Sequence, residues 1–262
     1  MIVDFHAHAF PDEIAPKAME TLYTRYQMTP FTDGTAGGLS RCAEAAGVDL
    51  VVIQPVATKA SQVRSINDWA AALDCQRVVS FGALHPDLDD IAGEVDRMVS
   101  LGLKGVKIHG NWQDTYVNDP RMFPIYEAAR GRLICMFHAG DELTPFDPQK
   151  ATPAMIADVH SQFPDLTIIA AHMGGYLMWT QAEDYLVGKN VYLDTSACWP
   201  RVLDDNRMLS MIRRHGADRI VFATDLPMGN PQEDIARLGQ LGLTDTELET
   251  VLGGNAARML GL

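Results

Sequence analysis

The chain opens on Ile2-Val3-Asp4-Phe5-His6-Ala7-His8, in which two histidines stand one residue apart after an apolar start. Side chains of a β-strand alternate between its two faces, so residues two positions apart share a face. On a strand, His6 and His8 therefore point the same way, and two imidazoles at that spacing can bind one metal ion. The segment predicts a first strand whose end carries part of a metal site.

Short apolar runs rich in β-branched residues recur after this segment, separated by helix-like stretches. The usual repeat is about 30 residues, which is the size of one βα unit. Eight strands alternating with helices favour the α/β class and a TIM (β/α)8 barrel, predicted as a single domain over residues 1–262. A doubly wound open sheet is the alternative. The predicted strands are residues 2–6, 50–54, 78–83, 105–109, 133–138, 166–172, 191–195 and 220–224.

Helix signals lie between several of these strands. Acidic side chains favour the positive end of a helix, and proline favours its first turn. The tail 247–262 is expected to form two helices that break at Gly253-Gly254. The longest connection, 9–46, holds either a loop over the active site or a helix with a surface loop. The predicted helices cover residues 87–101, 120–130 and 148–163.

Composition bounds the class of protein. Hydrophobic residues make up 47% of the chain and charged residues 21%, which is enough apolar material for a sizeable core. The net charge of -13 disfavours nucleic acid as a partner, because a negative surface repels phosphate. No apolar stretch has the length of about 18 residues that a membrane span needs, and the four scattered cysteines contain no CxxC motif. We therefore expect a cytoplasmic protein that acts on a small molecule, and a homo-oligomer stays open.

Further metal-binding side chains occur at the ends of later predicted strands. They are His138 in Met-Phe-His-Ala-Gly, His172 in Ala-Ala-His-Met-Gly-Gly and Asp225 in Phe-Ala-Thr-Asp-Leu-Pro. Catalytic residues of a TIM barrel lie at the C-terminal ends of its strands. A single histidine at a strand end is usually structural, but several at one rim indicate a site for Zn, Fe, Mn or Co.

Candidate substrate contacts follow the same strands. Lys107 and His109 share a face of the strand Gly-Val-Lys-Ile-His, so both are expected at the mouth of the barrel. Lys107 either bridges two metal ions as a carboxylated lysine, binds a substrate carboxylate, or pairs with Asp4 or Asp225 as a buried structural cation. The remaining candidates are Trp112, Ser196 and Arg201.

Longer pieces of the sequence carry a resemblance to a known family. As an ordered set they resemble the amidohydrolase superfamily, and within it the amidohydrolase-related (amidohydrolase 2) group. That group consists of TIM-barrel metal-dependent hydrolases and also contains non-oxidative decarboxylases. The pieces are DFHAHAFP (4–11), GVKIH (105–109), DPRMFPIYE (119–127), HAGD (138–141), FPDLTIIAAHMGG (163–175), NVYLDTS (190–196), RIVFATDLP (219–227) and GGNAARMLGL (253–262).

The resemblance implies roles for individual residues. The family's metal ligands match His6, His8, His138 and Asp225, and one divalent ion is expected, zinc first, with Mn, Fe or Co open. His172 matches a histidine that binds a second metal in binuclear members and orients water or substrate in mononuclear ones. Asp225 would then accept a proton from the attacking water, and His172 would stabilise the developing oxyanion.

Two activities are compatible with this ligand set. We expect first a hydrolase of a small ester, lactone, amide or related C–O or C–N bond. The alternative is a decarboxylase of a small carboxylic acid, which should have a cationic anchor such as Lys107 or Arg201 facing the metal. A non-catalytic binding protein is disfavoured because the full ligand set is present.

Overall fold

The computed structural model describes residues 1–73, 75–198 and 202–262. Their contacts form two compact units, and each is considered by itself. The first contains Met1–Ile53, a short segment that ends at Val79, and Val187–Leu262. The second contains Gln54–Leu73 and Ser80–Leu186.

The eight predicted strands are all present in the described part of the chain. The third is divided at Phe81 into two short strands, which makes nine. They are β1 Val3–Ala7, β2 Leu50–Ile53, β3 Val78–Ser80, β4 Gly82–Ala83, β5 Gly105–Ile108, β6 Ile134–Phe137, β7 Thr167–Ala170, β8 Tyr192–Asp194 and β9 Ile220–Val221.

Eleven α-helices lie between and after the strands in the same described residues. The first connection contains two of them and no strand. They are α1 Ala15–Tyr26, α2 Ala36–Ala46, α3 Val63–Ala71, α4 Ile91–Ser100, α5 Phe123–Ala129, α6 Pro153–Gln162, α7 Trp179–Tyr185, α8 Asp205–His215, α9 Pro231–Gln240, α10 Asp245–Glu249 and α11 Asn255–Leu260.

Two predicted helix starts were too early, because a better cap stands further along the chain. Helix α4 begins after Asp90, whose carboxylate accepts a hydrogen bond from the backbone N–H of Gly93 at 2.9 Å. Helix α6 begins at Pro153 and not at residue 148, because the hydroxyl of Thr152 caps it. A side-chain cap satisfies an orphan N–H of the first turn and so fixes where the helix begins.

The predicted break at Gly253-Gly254 was wrong. Residues Thr250–Gly254 form a π-helical turn that joins α10 to α11 without interruption. A Cβ atom on Gly253 would lie 2.1 Å from the carbonyl oxygen of Met1, so this glycine allows the helix to touch the start of the chain. The glycine pair serves close packing here and does not end the helix.

The first unit is built on parallel strands. β1 pairs with β2, and β8 pairs with β9. The N–H of Phe5 in β1 donates to the carbonyl of Phe222, just past β9, and Ala7 forms a parallel bridge to Leu226. The C-terminal ends of β1, β8 and β9 therefore meet at one edge, which places His6, Asp194 and Asp225 near each other.

The second unit contains a continuous parallel sheet in the order β4-β5-β6-β7. β5 and β6 are buried at every position, as expected for parallel strands covered on both faces. His109 and His138 directly follow the last residues of these two strands. The histidines predicted at strand ends are thus brought to one edge of this sheet.

No α-helix among the described residues combines the length and the apolarity that crossing a bilayer requires. The longest of those listed above, α1, has 12 residues.

His215 is a buried histidine of the first unit with both ring nitrogens engaged. Its Nδ1 accepts a hydrogen bond from the N–H of Gly188 at 3.0 Å, and its Nε2 donates to the carbonyl of Val191 at 2.9 Å. Burial lowers the pKa of His215 from 6.5 to about 4. The imidazole is therefore neutral in the folded protein at pH 7 and bonded as a structural residue.

This shift predicts a pH dependence of stability. Between pH 6.5 and about 4 the unfolded chain binds a proton at His215 that the folded protein does not, so stability falls as the pH is lowered through this window. We expect a loss on the order of 2–3 kcal/mol in the free energy of unfolding from this residue. Urea titrations of the wild type and of His215→Gln across the window check it. Equal slopes in the two proteins would contradict the assignment.

Candidate metal centre and active site

Three predicted metal ligands converge in the first unit. The Nε2 atoms of His8 and His6 lie 3.2 Å and 3.6 Å from Oδ1 of Asp225. The two imidazole rings are 5.1 Å apart and inclined by 70°. One ligand atom from each residue lies within 4.8 Å of the others. The same-face spacing of His6 and His8 therefore produces the predicted convergence.

The spacing of these atoms fits a divalent ion. Around a tetrahedral ion with bonds of about 2.1 Å, ligand atoms are roughly 3.4 Å apart. The two distances from Asp225, 3.2 Å and 3.6 Å, bracket that value. Two imidazole nitrogens and one carboxylate oxygen are donors that suit Zn, Mn, Fe or Co. The residues present thus fit a divalent metal ion.

Asp194 holds His6 in the orientation that a metal site needs. Its Oδ2 lies 2.9 Å from Nδ1 of His6, and its Oδ1 accepts a 2.6 Å hydrogen bond from the hydroxyl of Ser196. The carboxylate can only accept, so Nδ1 of His6 carries the proton and Nε2 presents its lone pair. A carboxylate that accepts from the non-ligating nitrogen of a metal-bound histidine fixes its tautomer and raises its basicity. The sequence reasoning assigned Asp194 no role, although it stands at the end of a strand.

We expect Asp194→Asn to weaken metal binding by about 10–100-fold, the range typical for loss of such a partner. Titration of the metal-free protein with Mn²⁺ and Zn²⁺ measures the affinity. Ser196→Ala is the matched control, because it removes a neutral hydroxyl 3.1 Å from the same nitrogen and leaves the carboxylate in place. Unchanged affinity in Asp194→Asn would show that His6 is not held in this way for a metal.

Asp225 stands in a turn with unusual backbone geometry. Its φ is 66°, in the left-handed region that few residues other than glycine adopt. Its N–H donates to the carbonyl of His6 at 2.9 Å, and its own carbonyl accepts from Met228 at 2.9 Å. A Cβ on Gly229 would lie 1.9 Å from the carbonyl oxygen of Thr224, so the turn closes only over glycine. Strained backbone of this kind is common at functional sites.

Asp4 connects β1 to the turn that contains Asp225. Its carboxylate is fully buried and accepts hydrogen bonds from the hydroxyl of Thr224 at 2.5 Å and from the N–H of Thr224 at 3.1 Å. Burial raises the pKa of Asp4 to about 7, although the hydrogen bonds from Thr224 and His6 oppose the shift. Asp4 therefore fixes the residue before Asp225 and acts as a structural partner of the site.

A second group of imidazoles lies in the second unit. Nε2 of His172 is 3.2 Å from Nδ1 of His138, and Nε2 of His138 is 3.1 Å from the carbonyl oxygen of Asp141. His172 has a φ of 59°, also in the left-handed region, and its carbonyl accepts from the indole N–H of Trp179 at 2.9 Å. The structure brings His138 and His172 together. The place of His138 in the ligand set stays a prediction from the family resemblance.

His109 packs against His138 and faces an acidic partner. The two rings are stacked 4.2 Å apart and only 7° from parallel, and Nε2 of His109 is 3.7 Å from Oε1 of Glu142. An imidazole binds a metal close to its own ring plane, so parallel stacked rings do not share one ion. The stacking disfavours one ion shared by the two rings, although one ligand atom from each of His109, His138 and Glu142 lies within 4.8 Å of the others. Glu142 was not predicted, although HAGD, the piece that begins at His138, ends immediately before it.

The other predicted substrate contacts are placed as follows. Lys107 is 1% exposed within β5, and its role as bridge or anchor stays a prediction. Trp112 packs edge-on to His109 at 6.2 Å, and also edge-on to Phe146. Ser196 is buried with its hydroxyl on Asp194 and His6, so a contact with substrate stays a prediction. Arg201 lies outside the described residues.

Known structures resemble the chain from end to end. The 5-carboxyvanillate decarboxylase of Sphingomonas paucimobilis is 18% identical, with 100% of this chain and 99% of that chain covered and a TM-score of 0.72. A dihydroxybenzoic acid decarboxylase of Polaromonas sp. JS666, solved with manganese and 2-nitroresorcinol, is 20% identical, with 100% and 97% covered and a TM-score of 0.70. A TIM-barrel protein of Bordetella bronchiseptica is 18% identical, with 99% and 98% covered and a TM-score of 0.74.

These matches confirm the predicted fold class, a TIM barrel of the α/β type. The group of His6, His8 and Asp225 supports a divalent metal, and its identity as zinc is not confirmed. The Polaromonas enzyme holds manganese. The amidohydrolase family model matches residues 3–262. Because that match covers nearly the whole sequence, and the histidines and aspartate fit a divalent ion, the chain belongs to the amidohydrolase family of enzymes.

Proposed function

We propose that this protein is a metal-dependent decarboxylase of a small hydroxylated aromatic acid. The observation that supports it best is the full-length similarity to two aromatic-acid decarboxylases. From the sequence alone hydrolysis was the first expectation and decarboxylation the alternative. The comparisons favour the alternative.

The metal ion would be held by His6, His8 and Asp225, with His138 proposed as a further ligand from the family resemblance. When bound, it would supply Lewis-acid stabilisation of negative charge on oxygen atoms of the substrate. Asp194 would keep the lone pair of His6 Nε2 available, through its 2.9 Å contact to Nδ1.

Two histidines of the second unit, His138 and His172, are the candidate proton carriers. The carbonyl of Asp141 can only accept, so the hydrogen of neutral His138 lies on Nε2, and Nδ1 of His138 is an acceptor. Nε2 of His172 lies 3.2 Å from this nitrogen. Loss of CO2 leaves the electron pair of the broken C–C bond on the ring carbon, which must gain one proton. We assign delivery of that proton to the imidazole of His172.

Decarboxylation also requires a cation that holds the carboxylate before it leaves. Lys107 is the candidate within the described residues, because it lies almost fully buried in β5, two residues before His109.

Hydrolysis is the second candidate, and one observation favours it. Oδ1 of Asp225 lies beside Nε2 of His8 and His6, and the side chain remains 21% exposed. A carboxylate in that position can accept a proton from an attacking water molecule, as general-base hydrolysis requires.

A substrate screen separates the two activities. The protein, loaded with Mn²⁺ or Zn²⁺, is incubated with hydroxybenzoates and with a set of lactones, esters and amides, and both CO2 release and hydrolysis are recorded. We expect metal-dependent CO2 release from at least one hydroxybenzoate and no hydrolysis. Hydrolysis without CO2 release would overturn decarboxylation in favour of the second candidate.

A further inference from the structure

A row of histidines crosses the sheet of the second unit. Ala83 of β4 is paired with Lys107 of β5, and Ile108 of β5 is paired with Phe137 of β6. Continued past the strand ends, this register places His85 level with His109 and His109 level with His138. Neighbouring strands are about 4.8 Å apart, so these residues lie at one height along the same edge.

The position of His85 is fixed by the backbone before it. The side chain of Asn67 bonds Ala83 twice, accepting from its N–H at 2.7 Å and donating to its carbonyl at 3.1 Å. Asn67 also donates to Glu94 at 2.7 Å, which ties it to α4. His85 follows Ala83 by two residues, so it inherits this rigid placement.

One nitrogen of His85 is used and the other is available. The residue is 5% exposed, and its Nδ1 accepts a hydrogen bond from the N–H of Asp87 at 3.2 Å. The hydrogen of the neutral ring is therefore on Nε2. Burial lowers the pKa of His85, the Asp87 carboxylate opposes that shift, and Arg121 adds to it, so the neutral form is favoured. Among the described residues no hydrogen bond is made by Nε2.

The contrast with His215 shows why this matters. His215 is also buried, and the backbone satisfies both of its nitrogens. A histidine with a purely structural role normally has both nitrogens satisfied by the protein. His85 has a fixed ring, a fixed hydrogen position and a donor directed to no described protein atom, at the same edge as His109 and His138.

We propose that His85 is a substrate-binding residue that donates a hydrogen bond from Nε2 to an oxygen atom of the bound aromatic acid. The inference rests on the proposed function, because it takes the hydroxylated aromatic acid as the ligand. A hydroxyl or a carboxylate oxygen can accept the bond, and the probes below separate the two.

The test is binding, measured by calorimetry on the Mn²⁺-loaded protein. The probes are resorcinol, which carries hydroxyls but no carboxylate, and benzoate, which carries only the carboxylate. We expect His85→Phe to weaken at least one probe by about tenfold or more, as loss of one hydrogen bond to a ligand predicts. His85→Gln should bind within about threefold of the wild type, since its amide can donate from a similar position.

Controls isolate the hydrogen bond. His160→Phe makes the same substitution in α6, away from the row, and should not change either affinity. Metal content and melting temperature of every variant are measured, and His85→Gln keeps the test decisive where His85→Phe does not fold. In turnover, His85→Phe should raise KM more than it lowers kcat.

Two results overturn the proposal. If His85→Phe binds both probes as the wild type does, His85 does not contact the ligand. If the metal-loaded wild type binds neither probe, the ligand class is wrong. Failure of the proposed function is seen separately. If probe binding depends on His85 but no hydroxybenzoate releases CO2, His85 is a ligand-binding residue and the protein is not a decarboxylase of these acids.

Discussion

Asp225→Asn is expected to weaken metal binding and to lower turnover by at least about 100-fold, because it removes the charged ligand of the metal and, in the hydrolytic alternative, an acid–base group whose loss typically costs about 10²–10⁴-fold. The variant removes the negative charge that lies 3.2 Å from His8 and 3.6 Å from His6. Asparagine tolerates the left-handed backbone that Asp225 adopts, so the turn should keep its shape. The loss should therefore come from chemistry and not from unfolding.

Metal content, melting temperature and turnover of the variant are measured together. Asp12→Asn is the matched control, because Asp12 is exposed and far from the turn in sequence, and it should behave as the wild type. An Asp225→Asn protein that keeps both its metal and its turnover would remove Asp225 from the site.

His172→Asn is expected to lower turnover by about 100-fold or more while the protein retains most of its metal. The change removes the imidazole whose Nε2 lies 3.2 Å from Nδ1 of His138, and with it the proton that we assign to the ring carbon. It leaves His6, His8 and Asp225 untouched in the first unit. Asparagine also suits the left-handed backbone at this position.

The control for this variant is His160→Asn, which makes the same change within α6. We expect it to be nearly silent in turnover and in metal content. Loss of the metal in His172→Asn would instead indicate that His172 is a ligand, and full turnover would show that the proton comes from elsewhere.

Local patterns in the sequence predicted the strands and the residues at their ends. The period of two between His6 and His8 predicted that both side chains share a face. In the fold, that face lies against Asp225. Helix starts were less certain, since Asp87 and Asp90 are chemically alike and only the folded chain shows which one caps Gly93.

The partners of the predicted residues could not be found in this way. Asp194 is 188 residues from His6, and its contact depends on strands that meet only in the fold. Glu142 faces His109 from a loop whose path no periodicity describes. The choice between hydrolysis and decarboxylation depends on such loops, which is why the sequence alone placed hydrolysis first.

The left-handed backbone at Asp225 has a consequence for how this site can change during evolution. Glycine, asparagine, aspartate and histidine adopt that conformation at the lowest cost, as His172 does in this protein, so a glutamate or cysteine ligand would strain the turn. His6 lies in β1 and has no such restriction, because its φ is not positive. Adaptation to a different metal ion should therefore exchange ligands on the first strand and leave the aspartate in place.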